Sequence, residues 1–325
     1  MSFCYAGVSS YWRPYELEAA KAFFGSEATI DDADYFFWRH NTESVNNTIL
    51  QRSLEIESRY LNANPNGKII NPMSSFCYTN NKDLCFSRWQ EEGIRSPKFI
   101  TFNSKQDILD SGLIYPFLIR LNDGVTGEDT FLVTNEKELD KFLPMVDAAY
   151  SRNKRIETKK IAVEFIDTSI RDNFKTSFRI IVAGKSVIVG YARISDDWLA
   201  ITKQFTDNKK EHFVEQNKRL EKLIFNNYDE LVRSVSVLGL HHVGIDAIAD
   251  KDDNLYFLEV QPFYFCGNTN RTSPPFWNPY KPPELVKWLV DDKEYLSQEM
   301  PMYYSNWLNK RNHFNLCYKS LKESL

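Results

Sequence analysis

Residues 243–261 read VGIDAIADKDDNLYFLEVQ. Two apolar runs, 243–249 and 255–260, flank the turn-forming Asp250-Lys251-Asp252-Asp253-Asn254, which predicts an antiparallel hairpin. Glu259 and Gln261 are two residues apart, so on a strand both point to one face. Asp246 lies across the turn, where it can face them. Two carboxylates and an amide oxygen on one sheet face suit Mg2+, a hard cation that takes oxygen ligands and usually also bridges phosphates. The plainer alternative is an exposed hairpin face with alternating polar residues. Phe257, Leu258 and Val260 are apolar, however, and on so dry a strand an uncompensated carboxylate is costly.

Working outward from the hairpin, cations recur next to strands and glycines. Arg120 ends the strand 117–121 (FLIRL) and precedes a loop holding Gly124 and Gly127. A cation beside a flexible glycine loop can cover phosphates with backbone N–H donors, although no G-K-[ST] follows and an ordinary surface turn would look the same. Lys82 opens a helix that runs to Gly93, against the helix dipole; a solvated surface lysine is its plain reading. Strands 177–182 and 186–194, joined by Ala183-Gly184-Lys185, form a second hairpin carrying Arg179 and Arg193. Either arginine could serve only as an ion-pair partner. Further elements are predicted as helix 14–24, strand 34–38 (DYFFW), helix 43–61, strand 68–72, strand 98–102, a short helix capped by Asn103, strand 130–133, and a helix from Thr134 to Leu143. Beyond these come strand 161–166, a charged helical stretch 208–238 broken near Asn226-Asn227, and one helix around 283–296.

Length and composition set the class. A chain of 325 residues exceeds one compact core and predicts two or three domains. The charge of −4 removes any bulk electrostatic footprint for nucleic acid. Cys4, Cys77, Cys85, Cys266 and Cys317 are odd in number and contain no C-x-x-C pair, which argues against a disulfide framework or structural zinc. The first residues lack a signal-peptide pattern, and no apolar run approaches the ~20 residues of a spanning helix. The expectation is a soluble, reduced, cytoplasmic protein that engages no membrane.

Taken in order, a lysine opening a helix, G-I-x-x-P, a strand ending in a cation, a glycine loop, V-E-F-I, an R…R hairpin, and G-x-D followed by E-x-Q resemble the ATP-grasp superfamily. The chain looks closest to the ribosomal-protein S6 glutamate ligase and glutathione synthetase-like branch, over about residues 35 to 265. The resemblance implies an α/β (α+β) fold in which two subdomains grip ATP behind a short Rossmann-like lobe. It divides the chain into an N-terminal pre-grasp lobe (1–80), an ATP-grasp domain (81–271, with a lid-bearing part 81–160 and a metal-binding part 161–271) and an aromatic C-terminal appendage (272–325). It implies that Lys82 and Arg120 contact ATP phosphates and that Gly124 and Gly127 belong to a mobile lid. Glu164, Phe165 and Ile166 would form the hinge whose backbone reads adenine. Asp246, Glu259 and Gln261 would hold Mg2+ (or Mn2+), and Arg193, with Arg179 nearby, would face the transferred phosphoryl group. Three positions depart from the branch: Arg120 stands for a second lysine, Gln261 for an asparagine, and Ser177 for an acidic ribose contact that Asp167 or Asp172 could replace.

The implied activity is an ATP-dependent C–N ligase. It joins a small-molecule or peptide carboxylate to an amine through an acyl phosphate, and homo-oligomers are compatible with it. A kinase on the same fold, or a non-catalytic ATP-binding module, would use the same apparatus. Other positions read more blandly. His241 and His242 point to opposite faces of a strand. Arg39, near His40, is a reasonable binder of a substrate carboxylate, though a surface salt bridge is the plainer reading. Cys266 reads as a small buried residue, the charge run 207–222 as a solvated helix face, and Asn268, Asn270 and Arg271 as candidates to touch the acceptor. Aromatic residues concentrate at the two ends: 11 in residues 1–40 and 15 in residues 256–325, so 26 of 47. That distribution predicts packing of the first lobe against the tail, or else an acceptor pocket or subunit interface.

Overall fold

The computed structural model describes residues 1–7, 12–39, 47–124, 127–153, 155, 157–169, 174–195, 197–198, 210–262 and 293–325. His40, Asp172, Cys266, Asn268, Asn270 and Arg271 lie outside them. The strands are β1 (Ser2–Gly7), β2 (Ser26–Glu27), β3 (Tyr35–Arg39), β4 (Lys68–Ile70), β5 (Phe99–Thr101), β6 (Phe117–Leu121), β7 (Phe131–Val133), β8 (Lys160–Glu164), β9 (Lys175–Ala183), β10 (Ser186–Ser195), β11 (His242–Ala249) and β12 (Leu255–Gln261). The helices are α1 (Arg13–Phe24), α2 (Asn47–Ala63), α3 (Phe76–Asn80), α4 (Lys82–Glu91), α5 (Lys105–Asp110), α6 (Glu136–Arg152), α7 (Lys210–Asn226), α8 (Tyr228–Ser236), α9 (Lys293–Glu299) and α10 (Lys310–Ser324). None of the described helices is long and apolar enough to cross a membrane.

Three four-stranded sheets follow one another along the chain, in orders β2-β1-β3-β4, β5-β8-β6-β7 and β10-β9-β11-β12. The first is parallel, and its centre is buried on both faces. Phe36 and Trp38 pack with Tyr60 on one side, while Phe37 packs with Phe24 on the other. That is why DYFFW carries no polar alternation. The second and third sheets are antiparallel. Trp89 of α4 sits in the core they share, buried against Phe257, with its Nε1 donating to Ser234 O at 2.8 Å.

Local physics moved several predicted boundaries. Ser104, not Asn103, caps α5: its Oγ accepts from Asp107 N while Asp107 Oδ2 accepts from Ser104 N, a capping box. The helix expected to stop at Leu143 runs on to Arg152 through Pro144. Leu139, Val146 and Ala149 continue one buried stripe against the second sheet, and that packing outweighs the lost hydrogen bond at the proline. The charge run of α7 is amphipathic rather than solvated throughout, burying Phe213, Val214, Leu220, Leu223 and Ile224.

The tail contains a helix that spacing alone did not suggest, α10. Its Tyr318 stacks on Phe37 at 5.3 Å and meets Phe24 edge-on at 5.9 Å. The Tyr318 hydroxyl donates to Glu16 Oε1 (2.9 Å) and lies 2.7 Å from the Tyr5 hydroxyl. Ser320 Oγ donates to Ala183 O at 2.7 Å, so α10 joins the first sheet to the β9–β10 hairpin. Much of the aromatic excess is therefore packing of lobe against tail.

Candidate functional site

Register alone gathers the site on the third sheet. Asp246 of β11 pairs with Glu259 of β12 on one side and with Arg179 of β9 on the other, so three charged side chains lie abreast on one face. A bulge makes this possible: Asp246 opposes Glu259, yet Ala247 opposes Phe257, leaving Leu258 as the extra residue. Phe257 thereby enters the core while Glu259 and Gln261 turn toward Asp246. Arg193 of β10, paired with Ser177, reaches across to the same carboxylate.

Asp246 accepts from Arg179 Nε and Nη2, each at 2.6 Å, and from Arg193 Nη2 at 3.0 Å. Burial alone would raise its pKa, but the two guanidinium groups outweigh it and hold the carboxyl well below the usual range. Burial pulls Arg179 down, but Asp246, Tyr191 and Glu259 together raise it above its usual value, so its proton is secure. Arg193 Nε is buried and, among the described residues, has no hydrogen-bond partner.

Lys82 supplies the second half of the cluster. Its Nζ lies 2.6 Å from Glu259 Oε2 and donates to Gly124 O at 2.8 Å, and Arg120 Nη2 donates to the same carbonyl at 2.8 Å. Burial lowers the pKa of Lys82 against the pull of Glu259, and burial lowers Arg120 as well. A Cβ on Gly124 would meet Arg120 Nη2 at 3.1 Å and Leu121 O at 3.3 Å, so a side chain here would crowd the guanidinium where both cations close on this peptide. Gly127, at φ +74°, turns the other end of the loop; residues 125 and 126 are outside the description.

Sequence reasoning missed the frame behind Lys82 and Arg120. Asp83 is buried and bonded to Asn122 Nδ2 (2.7 Å) and Lys159 Nζ (2.8 Å). Asp123 accepts from both Asn153 Nδ2 and Thr158 Oγ1. Asn122-Asp123-Gly124 reads as a turn, which hides that its first two residues are buried. The signal was Asp83, an acid in the first turn of a helix that begins with a lysine.

The remaining sequence candidates divide. Glu164 ends β8, where its backbone N–H donates to Lys98 O (2.8 Å) and its Oε2 accepts from Lys98 N (3.1 Å). Half-buried Phe165 and Ile166 follow in the connector that leads from the second sheet to the third. Gln261 Nε2 donates to Glu259 Oε1 at 3.0 Å, which leaves its amide oxygen on the carboxylate face. Ser177 is buried on β9. Asp167 pairs with Lys175 at 2.6 Å. Arg39 is not at the surface. It pairs with Glu16 at 2.6 Å beneath the Tyr5 ring (3.7 Å), because α10 covers that end of the first sheet. His241 Nδ1 accepts from Asn71 N at 3.3 Å, a link between lobe and third sheet.

Four cations, Lys82, Arg120, Arg179 and Arg193, thus surround two carboxylates, Asp246 and Glu259. The surplus of positive charge, with an Arg193 N–H that has no partner among the described residues, suits a polyanion. The donor set is all oxygen, and no group of three His, Cys, Asp or Glu forms among the described residues. It fits Mg2+, which completes its shell with water and phosphate oxygens rather than an all-protein cage.

A family model described as RimK-like ATP-grasp domain matches residues 79–263. Comparison with curated proteins returns no match. Among solved structures, a RimK domain protein ATP-grasp from Sphaerobacter thermophilus is 12% identical with a TM-score of 0.50, over 81% of this chain and 92% of that one. The ATP-grasp ligase PsnB complexed with minimal precursor is 13% identical with a TM-score of 0.51, over 81% and 90%. The N5-carboxyaminoimidazole synthetase from Staphylococcus aureus complexed with ADP is 11% identical, TM-score 0.51, over 80% and 70%. At such identities the likeness concerns the fold alone.

Proposed function

Because the chain belongs to the RimK-like ATP-grasp domain family, we propose that it is an ATP-dependent carboxylate–amine ligase. The observation that carries this reading is the cluster of four cations around two cross-strand carboxylates. A substrate carboxylate attacks the γ-phosphorus of ATP, the bond to the β,γ-bridging oxygen breaks, and ADP leaves with that electron pair. The amine then adds to the acyl phosphate, loses a proton and expels phosphate, leaving an amide. No nucleophilic side chain is needed, so catalysis is positioning and charge neutralisation.

The placement of these residues supports the following roles. Lys82 and Arg120 hold the phosphates, exchanging the Gly124 carbonyl for phosphate oxygens. Gly124 and Gly127 let the loop close and exclude water from the acyl phosphate. The backbone of Glu164, Phe165 and Ile166 reads adenine at the connector between the sheets. Asp246, Glu259 and Gln261 hold Mg2+, which when bound neutralises charge developing on the phosphates. Arg193, with Arg179 beside it, steadies the transferred phosphoryl group. Residues 1–80 and 272–325 supply the parts outside the nucleotide-binding region, and the cytoplasm supplies ATP.

The test is ADP release from purified protein with Mg-ATP across a matrix of carboxylic acids and amines. The expected result is turnover that requires one of each, with an amide product by mass spectrometry. Lys82→Met should abolish it. ATP turnover that needs no amine, or a stable phosphorylated product, overturns the reading.

A further inference from the structure

The family match ends at residue 263, yet residues 303–314 reach the arginine pair. The contact runs through Tyr191 of β10. Its register partner is Arg179, and the Arg193 guanidinium carbon stands 5.8 Å from its ring centroid. Two aromatic neighbours of Tyr191 come from the tail. Trp307 packs tilted against it at 4.7 Å and 35°, and Tyr303 meets it edge-on at 6.4 Å. Trp307 is itself fixed: Lys310 Nζ lies 3.7 Å over its ring, and His313 meets it edge-on at 5.4 Å. The turn that carries it is tied to β10 by Asn306 Nδ2 donating to Ile188 O at 2.9 Å.

We propose that Trp307, acting through Tyr191, is a positioning residue for Arg193, so that the tail forms part of the phosphoryl-transfer apparatus. The inference rests on the reading of Arg193 given above. Its physical basis is a change of partner. As described, the two guanidinium groups are held chiefly by Asp246. Once Asp246 engages a divalent cation, that hold weakens, and a long arginine side chain regains rotamer freedom. Among the described residues an aromatic face is the support that remains, because it attracts a guanidinium without offering it a competing anion. A ring can do this only if it cannot tilt away, and Trp307, packed 4.7 Å from Tyr191, restrains that tilt.

The experiment compares Trp307→Phe, Trp307→Leu and Tyr191→Leu with wild type. Phenylglyoxal labelling, resolved by peptide mass spectrometry, is followed at Arg193 with Arg120 as internal reference. Steady-state kinetics and ADP affinity are measured alongside. For Trp307→Leu with Mg-ADP present, labelling of Arg193 should rise about fivefold over Arg120 as its restraint is lost. ADP affinity should stay within about twofold, and kcat should fall about tenfold with KM for ATP little changed. Trp307→Phe should lie between the two. Unchanged Arg193 labelling in both Trp307→Leu and Tyr191→Leu overturns the proposal, as does a parallel rise at Arg120, which would mean general loosening. If the leucine variants do not fold, a selective rise in Trp307→Phe supports the proposal and an unchanged ratio overturns it. Wild-type protein that turns over no acid–amine pair would defeat the ligase reading alone, since the labelling ratio needs no turnover.

Discussion

Replacing Asp246 by asparagine removes the one negative charge held between Arg179 and Arg193. The carboxylate accepts three hydrogen bonds at 2.6, 2.6 and 3.0 Å from two arginines and is 8% exposed. Asparagine keeps a single acceptor oxygen and turns an NH2 toward two buried guanidinium groups. Breaking a buried pair by removing one partner costs about 3–5 kcal/mol. Glu259 lies next along the sheet and already acts on Arg179, so the lower end, about 3 kcal/mol, is expected. At roughly 2 °C per kcal/mol, the melting temperature should drop by about 6 °C. Scanning calorimetry and urea unfolding at pH 7 measure it. Adding Arg193→Gln to Asp246→Asn should recover part of the loss, because it removes a cation left without an anion. The pH dependence fixes the sign. The folded carboxyl titrates below its ordinary value, so its contribution is complete above about pH 4 and disappears only as the pH falls through the lower folded pKa. The gap between wild type and variant should therefore hold from pH 7 to about 4 and close below. A variant within about 0.5 kcal/mol of wild type at pH 7 would refute the reasoning.

Other substitutions test other links. Gly184 has φ +56°, and a Cβ there would meet Ser320 O at 2.5 Å and Ser324 Oγ at 2.4 Å. Gly184→Ala should thus cost about 1–3 kcal/mol and speed proteolysis within α10. Burial, with the charge of Arg39 adding to it, pushes His242 down to about 3. The unfolded chain takes up a proton there below about pH 6.5 that the folded chain refuses, so wild type should lose stability from that pH downward. His242→Asn should lose less between pH 7.5 and 4.5 in urea midpoints. Ser104→Ala removes the Oγ of a capping box and should cost about 1 kcal/mol, read from urea unfolding.

What the sequence disclosed about this site was the part carried by period and order. Glu259 and Gln261 share a face because they are two apart, and FLIRL occupies 117–121 as its alternation requires. What it hid depended on contacts remote in the chain. No local pattern shows that Asn122 and Asp123 are buried, since their burial comes from Asp83, Asn153 and Thr158. The one-residue bulge at Leu258 is also silent in sequence, because strict alternation puts Phe257 and Glu259 on one side. Trp307 escaped notice for the same reason: its partner, Tyr191, lies 116 positions earlier in the chain. Pro144 misled in the opposite direction, as a local stop signal overridden by the stripe from Leu139 to Ala149.

The union of lobe and tail also bears on how the protein is made. Tyr5 meets its hydroxyl partner Tyr318 across 313 residues of chain. At about 5–20 residues per second, a ribosome takes roughly 15–60 s to bridge that interval. For that time Phe24, Phe37 and Tyr5 wait without the helix that covers them. The first sheet therefore emerges early and is finished late, an aromatic face held open until residues near 318 arrive. Nascent chains stalled before that point should carry a sticky surface that chaperones hold or proteases clear, which makes completion of the tail a checkpoint on the whole fold.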